Sequence, residues 1–204
     1  MTQLERLLEL LSDEGIWRMT SLSEAGVSTR TVRHAVLAGV VERVSRGVYR
    51  RSGAQHVAGI HLAEALVRVP QGVICLHSAA AEHGLGDETS TRTWVAIPHA
   101  ATPSVVEWPP IRYVRWRGTL PFEVGVDTTT ISGVEVRMTN PARTVIDMMR
   151  MSATVGEDRA MECLRDYYGS GRAMGDLLAI SEALGLRKKL APMLRMTAVV
   201  ARAS

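Results

Sequence analysis

The stretch from Thr20 to Arg51 constrains the fold of this chain more than any other. Thr20 can cap a short helix, Ser21 to Ala25, and Gly26 follows where a tight turn calls for a positive φ. Ser28 can cap a second helix, from about Thr29 to Ala38, which Gly39 closes. Val40 to Val44 and Val48 to Arg51 then alternate in the β manner around Ser45, Arg46 and Gly47, as a hairpin with a glycine-bearing tip does. Helix, turn, helix and basic hairpin in this order predict a winged helix-turn-helix, whose second helix enters a DNA major groove.

The charge distribution points the same way. The chain carries a net charge of only +3. Residues 28–51 hold Arg30, Arg33, Arg43, Arg46, Arg50 and Arg51 against Glu42, a net of +5. Residues 1–27 hold Arg6 and Arg18 against Glu5, Glu9, Asp13, Glu14 and Glu24, a net of −3. A basic excess gathered in one short stretch suits a polyanion. Every base in that stretch is arginine, which can fork onto a phosphate or a guanine edge. With Val32, Ala35 and Val36 turned inward, Thr29, Arg30, Arg33 and His34 share the outer face and are the expected base contacts. Arg46 at the hairpin tip suits a minor-groove or backbone contact. Arg43, Ser45, Tyr49 and Arg50 are the expected phosphate ligands. The competing readings are a solvated arginine surface and a protein-interaction module.

The remaining sequence predicts an α+β protein. Leu4, Leu7, Leu8 and Leu11 recur at helical spacing ahead of the head. Beyond it, helices are expected over 56–69 and 78–83. Strands follow at 93–98, 111–117 and 128–138, then helices at 141–150, 158–168, 175–183 and about 187–196. Two domains result: a winged helix-turn-helix head over 1–53 and a mixed α/β body over 54–204.

Several functions are disfavoured. Two cysteines, Cys75 and Cys163, make no disulfide framework, and the N-terminus lacks the basic and apolar regions of a signal peptide, so a reducing cytoplasm is expected. No apolar run approaches a transmembrane length of ~18 residues. Cys75, His77 and His83 lack the spacing of a structural zinc site. Asp127, Glu135 and Arg137 sit among strands as nuclease acids do, but arginine stands where a nuclease pattern usually carries lysine. A nuclease-like enzyme with a winged targeting head is therefore the alternative. No phosphate-cradling glycine loop and no serine elbow are present. Neither cofactor, metal nor catalytic residue is expected. Arg143 and Asp147, four apart on one helix, read as a helix-surface or inter-helix ion pair.

Taken in order, the motifs resemble a known family. Gly26-Val-Ser with Thr31-Val32, then Gly39-Val-Val-Glu-Arg-Val-Ser-Arg-Gly-Val-Tyr-Arg50, is similar to the start of AbiEi-type antitoxins of type IV toxin–antitoxin and abortive-infection systems. The likeness continues through His77-Ser-Ala-Ala-Ala-Glu-His-Gly-Leu85, through Ile131-Ser-Gly-Val-Glu-Val-Arg-Met-Thr-Asn-Pro-Ala-Arg-Thr-Val-Ile-Asp147, and through Ala160-Met-Glu-Cys-Leu-Arg-Asp166. The resemblance implies a bacterial repressor that binds double-stranded DNA at an inverted-repeat operator near its own promoter. It also implies a body that counters a nucleotidyltransferase toxin, with or without direct contact. It carries over no catalytic residue.

Overall fold

The computed structural model describes residues 2–11, 15–53, 58–87, 90–103 and 109–201, and of residues 45 and 195–201 the backbone alone. The expected helix start at 56–57 lies outside the described residues, as does part of the proline-rich loop after Pro98. The architecture is mixed α+β. The chain divides into two compact units, residues 1–70 with 129–136, and residues 71–128 with 137–204.

In the first unit, α1 (Gln3–Leu10) starts with a reciprocal cap: Thr2 Oγ1 accepts from Glu5 N, and Thr2 N donates to Glu5. Strand β1 (Trp17–Arg18) runs straight into α2 (Met19–Glu24). This corrects the expected cap at Thr20. Pairing of Arg18 with Val48 holds Arg18 extended at the N-cap position, and the helix begins one residue later. The turn after α2 is a Schellman closure: Val27 N donates to Leu22 O and Gly26 N to Ser23 O, with Gly26 at φ +83°. Then follow α3 (Thr29–Leu37), β2 (Val41–Ser45), β3 (Val48–Arg51) and α4 (Ile60–Arg68). The strands form a three-stranded antiparallel sheet in the order β1-β3-β2.

A small apolar core holds α1, α2, α3 and the hairpin together through Leu7, Leu11, Leu22, Val27, Val32, Ala35 and Val41. Leu4, expected to share this face, is instead 45% exposed. The N-terminus of α1 also grips that of α3. Gln3 Oε1 accepts from Ser28 N at 3.2 Å and from Thr31 Oγ1 at 2.7 Å, while Ser28 Oγ caps Thr31 N. Ser28→Ala is expected to destabilise the first unit by about 1 kcal/mol, measured by urea denaturation, since it strands a helix N–H.

The second unit holds a five-stranded sheet, ordered β6-β5-β4-β8-β7. Its strands are β4 (Val73–Ile74), β5 (Thr93–Pro98), β6 (Ile111–Trp116), β7 (Val126–Ile131) and β8 (Val134–Thr139), the tip of the β7–β8 hairpin belonging to the first unit. β5 is buried on both faces from Thr93 to Ile97, as a sheathed interior strand should be. β7 exposes Asp127 to Thr130, the polar dress of an edge strand. The helices are α5 (Leu76–Glu82), α6 (Pro141–Arg150), α7 (Ser152–Val155), α8 (Glu157–Gly169), α9 (Met174–Ala183) and α10 (Arg187–Ala201). Asn140 caps α6 and Pro141 occupies its first turn.

α6 is the central helix of this unit, buried from Ala142 to Met149. Its Arg143–Asp147 pair therefore lies in the core rather than at a helix surface, 2.9 Å apart with both side chains almost wholly enclosed. Arg143 also donates to Val124 O and lies 4.6 Å from the centre of the Trp116 ring. Arg150 reaches the second carboxylate oxygen of Asp147 at 2.9 Å.

His83 Nε2 donates to Thr139 O at 2.6 Å. Burial, the largest influence, lowers this imidazole from its ordinary 6.5, and the bond to Thr139 opposes that. With the folded-state value depressed, the unfolded chain takes up the proton first. Stability contributed by the neutral ring is then present above about pH 6.5 and lost as the pH falls below it. Urea midpoints of wild type and His83→Gln, compared between about pH 7 and pH 5, should show a steeper decline in the wild type.

Candidate nucleic-acid interface

α3 is built to present one face. Val32 and Ala35 anchor it in the core, so Thr29, Arg30, Arg33, His34 and Leu37 lie exposed on the other side. The spacing is that of a helix with a stripe facing outward. The Ser28 cap and the Gln3 bonds fix where the helix begins. A Schellman closure by Gly39 N and Val40 N onto Val36 O and Ala35 O fixes where it ends. Arg30 and Arg33 make no ion pair among the described residues.

The hairpin places its arginines unequally. Arg43 and Arg46 are exposed, Arg46 at the turn itself. Arg50 is partly covered and pairs with its cross-strand neighbour Glu42. An anion contacting Arg50 must compete with that carboxylate. Tyr49, opposite Arg43 on one side and Trp17 on the other, packs its ring against the apolar core. Ser45 is described by its backbone alone, at an irregularity in the β2–β3 register.

Sequence reasoning missed two arginines of the first unit, Arg18 and Arg68. Arg18 was counted with the acidic N-terminal segment, and Arg68 fell in a helix assigned to the body. It also missed an apolar groove of about 440 Å³ beside α3, bordered by Leu4, Arg30, His34, Ala38 and Val40. Leu37, 77% exposed, was likewise unforeseen as an apolar residue on the outer face.

In the second unit, His77, Arg92, Trp94, Arg112 and Arg159 line a polar cleft of about 350 Å³, with Arg112 4.2 Å from the centre of the Trp94 ring. No group of three or more metal-binding side chains is found among the described residues. Arg137 donates to Phe122 O at 2.5 Å, a structural bond. Both cysteines are buried and free, and burial pushes the Cys163 thiol up to about 12. No helix among the described residues is long and apolar enough to cross a membrane.

A capped helix with an outward arginine pair, followed by a basic hairpin, gathers most of the positive charge of the first unit in residues 28–51. Over residues 5–52 the chain matches the family described as transcriptional regulator, AbiEi antitoxin, in agreement with the motifs of the head. That match spans less than half of the chain. No curated protein matches. A crystal structure of the RV2827C protein from Mycobacterium tuberculosis is similar at 15% identity and a TM-score of 0.48, covering 98% of this chain and 81% of that one.

Proposed function

We propose that residues 1–53, within the first unit, form a winged helix-turn-helix and that the protein is an autoregulating antitoxin. In this reading, residues 1–53 are the DNA-binding domain and residues 54–204 the antitoxin domain. α3 enters the major groove with Thr29, Arg30, Arg33 and His34 toward base edges. The hairpin lies along the backbone, with Arg46 at its tip and Arg43, Ser45, Tyr49 and Arg50 toward phosphate. The target is an inverted repeat near the protein's own promoter, and the toxin countered is a nucleotidyltransferase. The role is non-enzymatic and the compartment the cytoplasm, in keeping with two unpaired cysteines.

The observation that carries this reading is that Arg30 and Arg33 are exposed and make no ion pair among the described residues, on a helix whose start is locked by Ser28 and Gln3. Surface arginines without a function are free to sit anywhere. These precede a basic hairpin directly in the chain, in the segment that matches a regulator family. The test is a gel-shift titration of the purified protein against DNA upstream of its own reading frame, with an unrelated duplex as competitor. Preferential retention of the upstream fragment is expected, and equal binding to both would sink the operator assignment. The same incubation with Mg²⁺ tests the nuclease alternative, since reproducible cleavage would replace the regulator reading with an enzyme. Co-expression with the neighbouring toxin, using full-length and head-only chains, tests the antitoxin assignment.

A further inference from the structure

The end of β1, the last turn of α4 and the hairpin tip meet at one place. Arg68 Nη1 donates to Arg46 O at 2.5 Å, Arg18 Nη2 to Leu66 O at 3.4 Å, and Met19 N to Gly47 O at 2.9 Å. Arg18, Arg46 and Arg68 therefore share a neighbourhood although they come from β1, the hairpin turn and α4, and Arg43 of β2 sits across Tyr49 from Trp17, the residue before Arg18. The crowding has an electrostatic signature. Burial first, and then the fields of Arg43 and Arg46, lower the Arg68 guanidinium from its ordinary value, against the pull of Glu64. Burial and Arg68 lower Arg18 in the same way. Arg68 Nε is buried and has no hydrogen-bond partner among the described residues.

A cationic residue near a helix C-terminus is favoured by the helix dipole, which accounts for Arg68 by itself. It does not account for three further guanidiniums drawn to the same spot. Like charges held together cost free energy, and an oxyanion between them removes that cost while accepting charge-assisted hydrogen bonds. Phosphate matches the fork geometry of arginine. The position, beside the hairpin tip, is where a duplex backbone would pass in the docking proposed above.

We propose that Arg18, Arg43, Arg46 and Arg68 form a clamp for a phosphate oxyanion, filled by a DNA phosphodiester, so that the DNA-contacting surface extends past residue 53 onto α4. This rests on the DNA-binding reading above. Arg68 acts twice, holding the hairpin tip through Arg46 O and neutralising the phosphate.

The experiment is fluorescence anisotropy of the full chain on a duplex selected from a random pool, for wild type, Arg68→Gln and Arg68→Lys. Salt is varied from about 50 to 200 mM. In Arg68→Gln the log–log salt slope should be shallower by about 0.9, so that the wild type loses about 3.5-fold more affinity than the variant over that range. The loss should be uniform across sequences, and Arg68→Lys should keep most of the slope. A residue that merely supports the hairpin would lower affinity and leave the slope alone, and that result overturns the clamp. If Arg68→Gln does not fold, Arg18→Gln is read in the same way. A second arm compares melting in sodium phosphate and sodium chloride at matched ionic strength. Stabilisation by inorganic phosphate that vanishes in Arg68→Gln, alongside an unchanged DNA slope, would mark a free-phosphate site and overturn the assignment to DNA. A wild type that binds no duplex would sink the DNA-binding reading instead, and the phosphate arm would then decide the clamp alone.

Discussion

Replacing Arg143 by alanine is expected to cost the second unit about 3–5 kcal/mol, because it takes the buried partner from the enclosed Asp147 carboxylate and leaves only the partly exposed Arg150 beside it. The guanidinium is fully enclosed and does three things at once. Nε bonds Asp147 Oδ2 at 2.9 Å, Nη1 bonds Val124 O, and the plane lies over Trp116. Alanine removes all three and leaves a cavity between α6 and the sheet. Arg143→Met with Asp147→Leu should recover a substantial part of the loss, since an apolar pair of similar volume avoids the desolvation cost of two ions. Recovery will be incomplete, as Val124 O and Arg150 lose their partners. Urea denaturation of both variants, read by circular dichroism, makes the comparison. An Arg143→Ala midpoint equal to the wild type would mean that the carboxylate is accommodated some other way.

Gly125 belongs to the same device. It sits at φ +64°, and a Cβ there would lie 2.6 Å from Arg143 Cβ and 2.9 Å from Ile180 Cδ1. The bare backbone is what lets α6 approach closely enough for Asn140 N to donate to Gly125 O. The arginine and the glycine form one packing solution, although they lie eighteen positions apart in the chain.

The double variant Arg33→Ala with Arg46→Ala is expected to weaken operator binding severely while leaving folding intact. A bidentate arginine–guanine contact contributes about 1–3 kcal/mol, so losing it at Arg33 alone corresponds to roughly five-fold to over a hundred-fold. Loss of Arg46 adds a backbone or minor-groove contact and should flatten the salt dependence as well. Both side chains are exposed and neither contributes to the core of the first unit, so the thermal midpoint should stay near that of the wild type. A gel-shift titration with unchanged affinity would contradict the assigned surface. Unequal effects would be informative too. An Arg33 deficit that depends on sequence, beside a uniform Arg46 deficit, is the pattern of one base reader and one backbone ligand.

The head is largely legible in the sequence, because its signals are local. Ser28 as a cap, Gly26 and Gly39 as left-handed closures, and the alternation around Ser45-Arg46-Gly47 each act within a few residues of themselves. The outward face of α3 follows from helical periodicity once Val32 and Ala35 are assigned inward. β1 escaped notice because a two-residue strand has no periodicity, and it exists only because β3 offers an edge to Trp17 and Arg18. The wrong cap at Thr20 has the same origin.

Local chemistry thus determined where helices start and stop, which arginines point outward, and that Arg143 and Asp147 would meet one turn apart. Tertiary structure alone decided that this pair is interred rather than solvated, that Glu42 claims Arg50, and that Arg18 and Arg68 join the hairpin arginines. The physical reason is range. Caps, turns and helical spacing are written over three or four residues, whereas burial and the gathering of like charges depend on which distant segments the folded chain packs together.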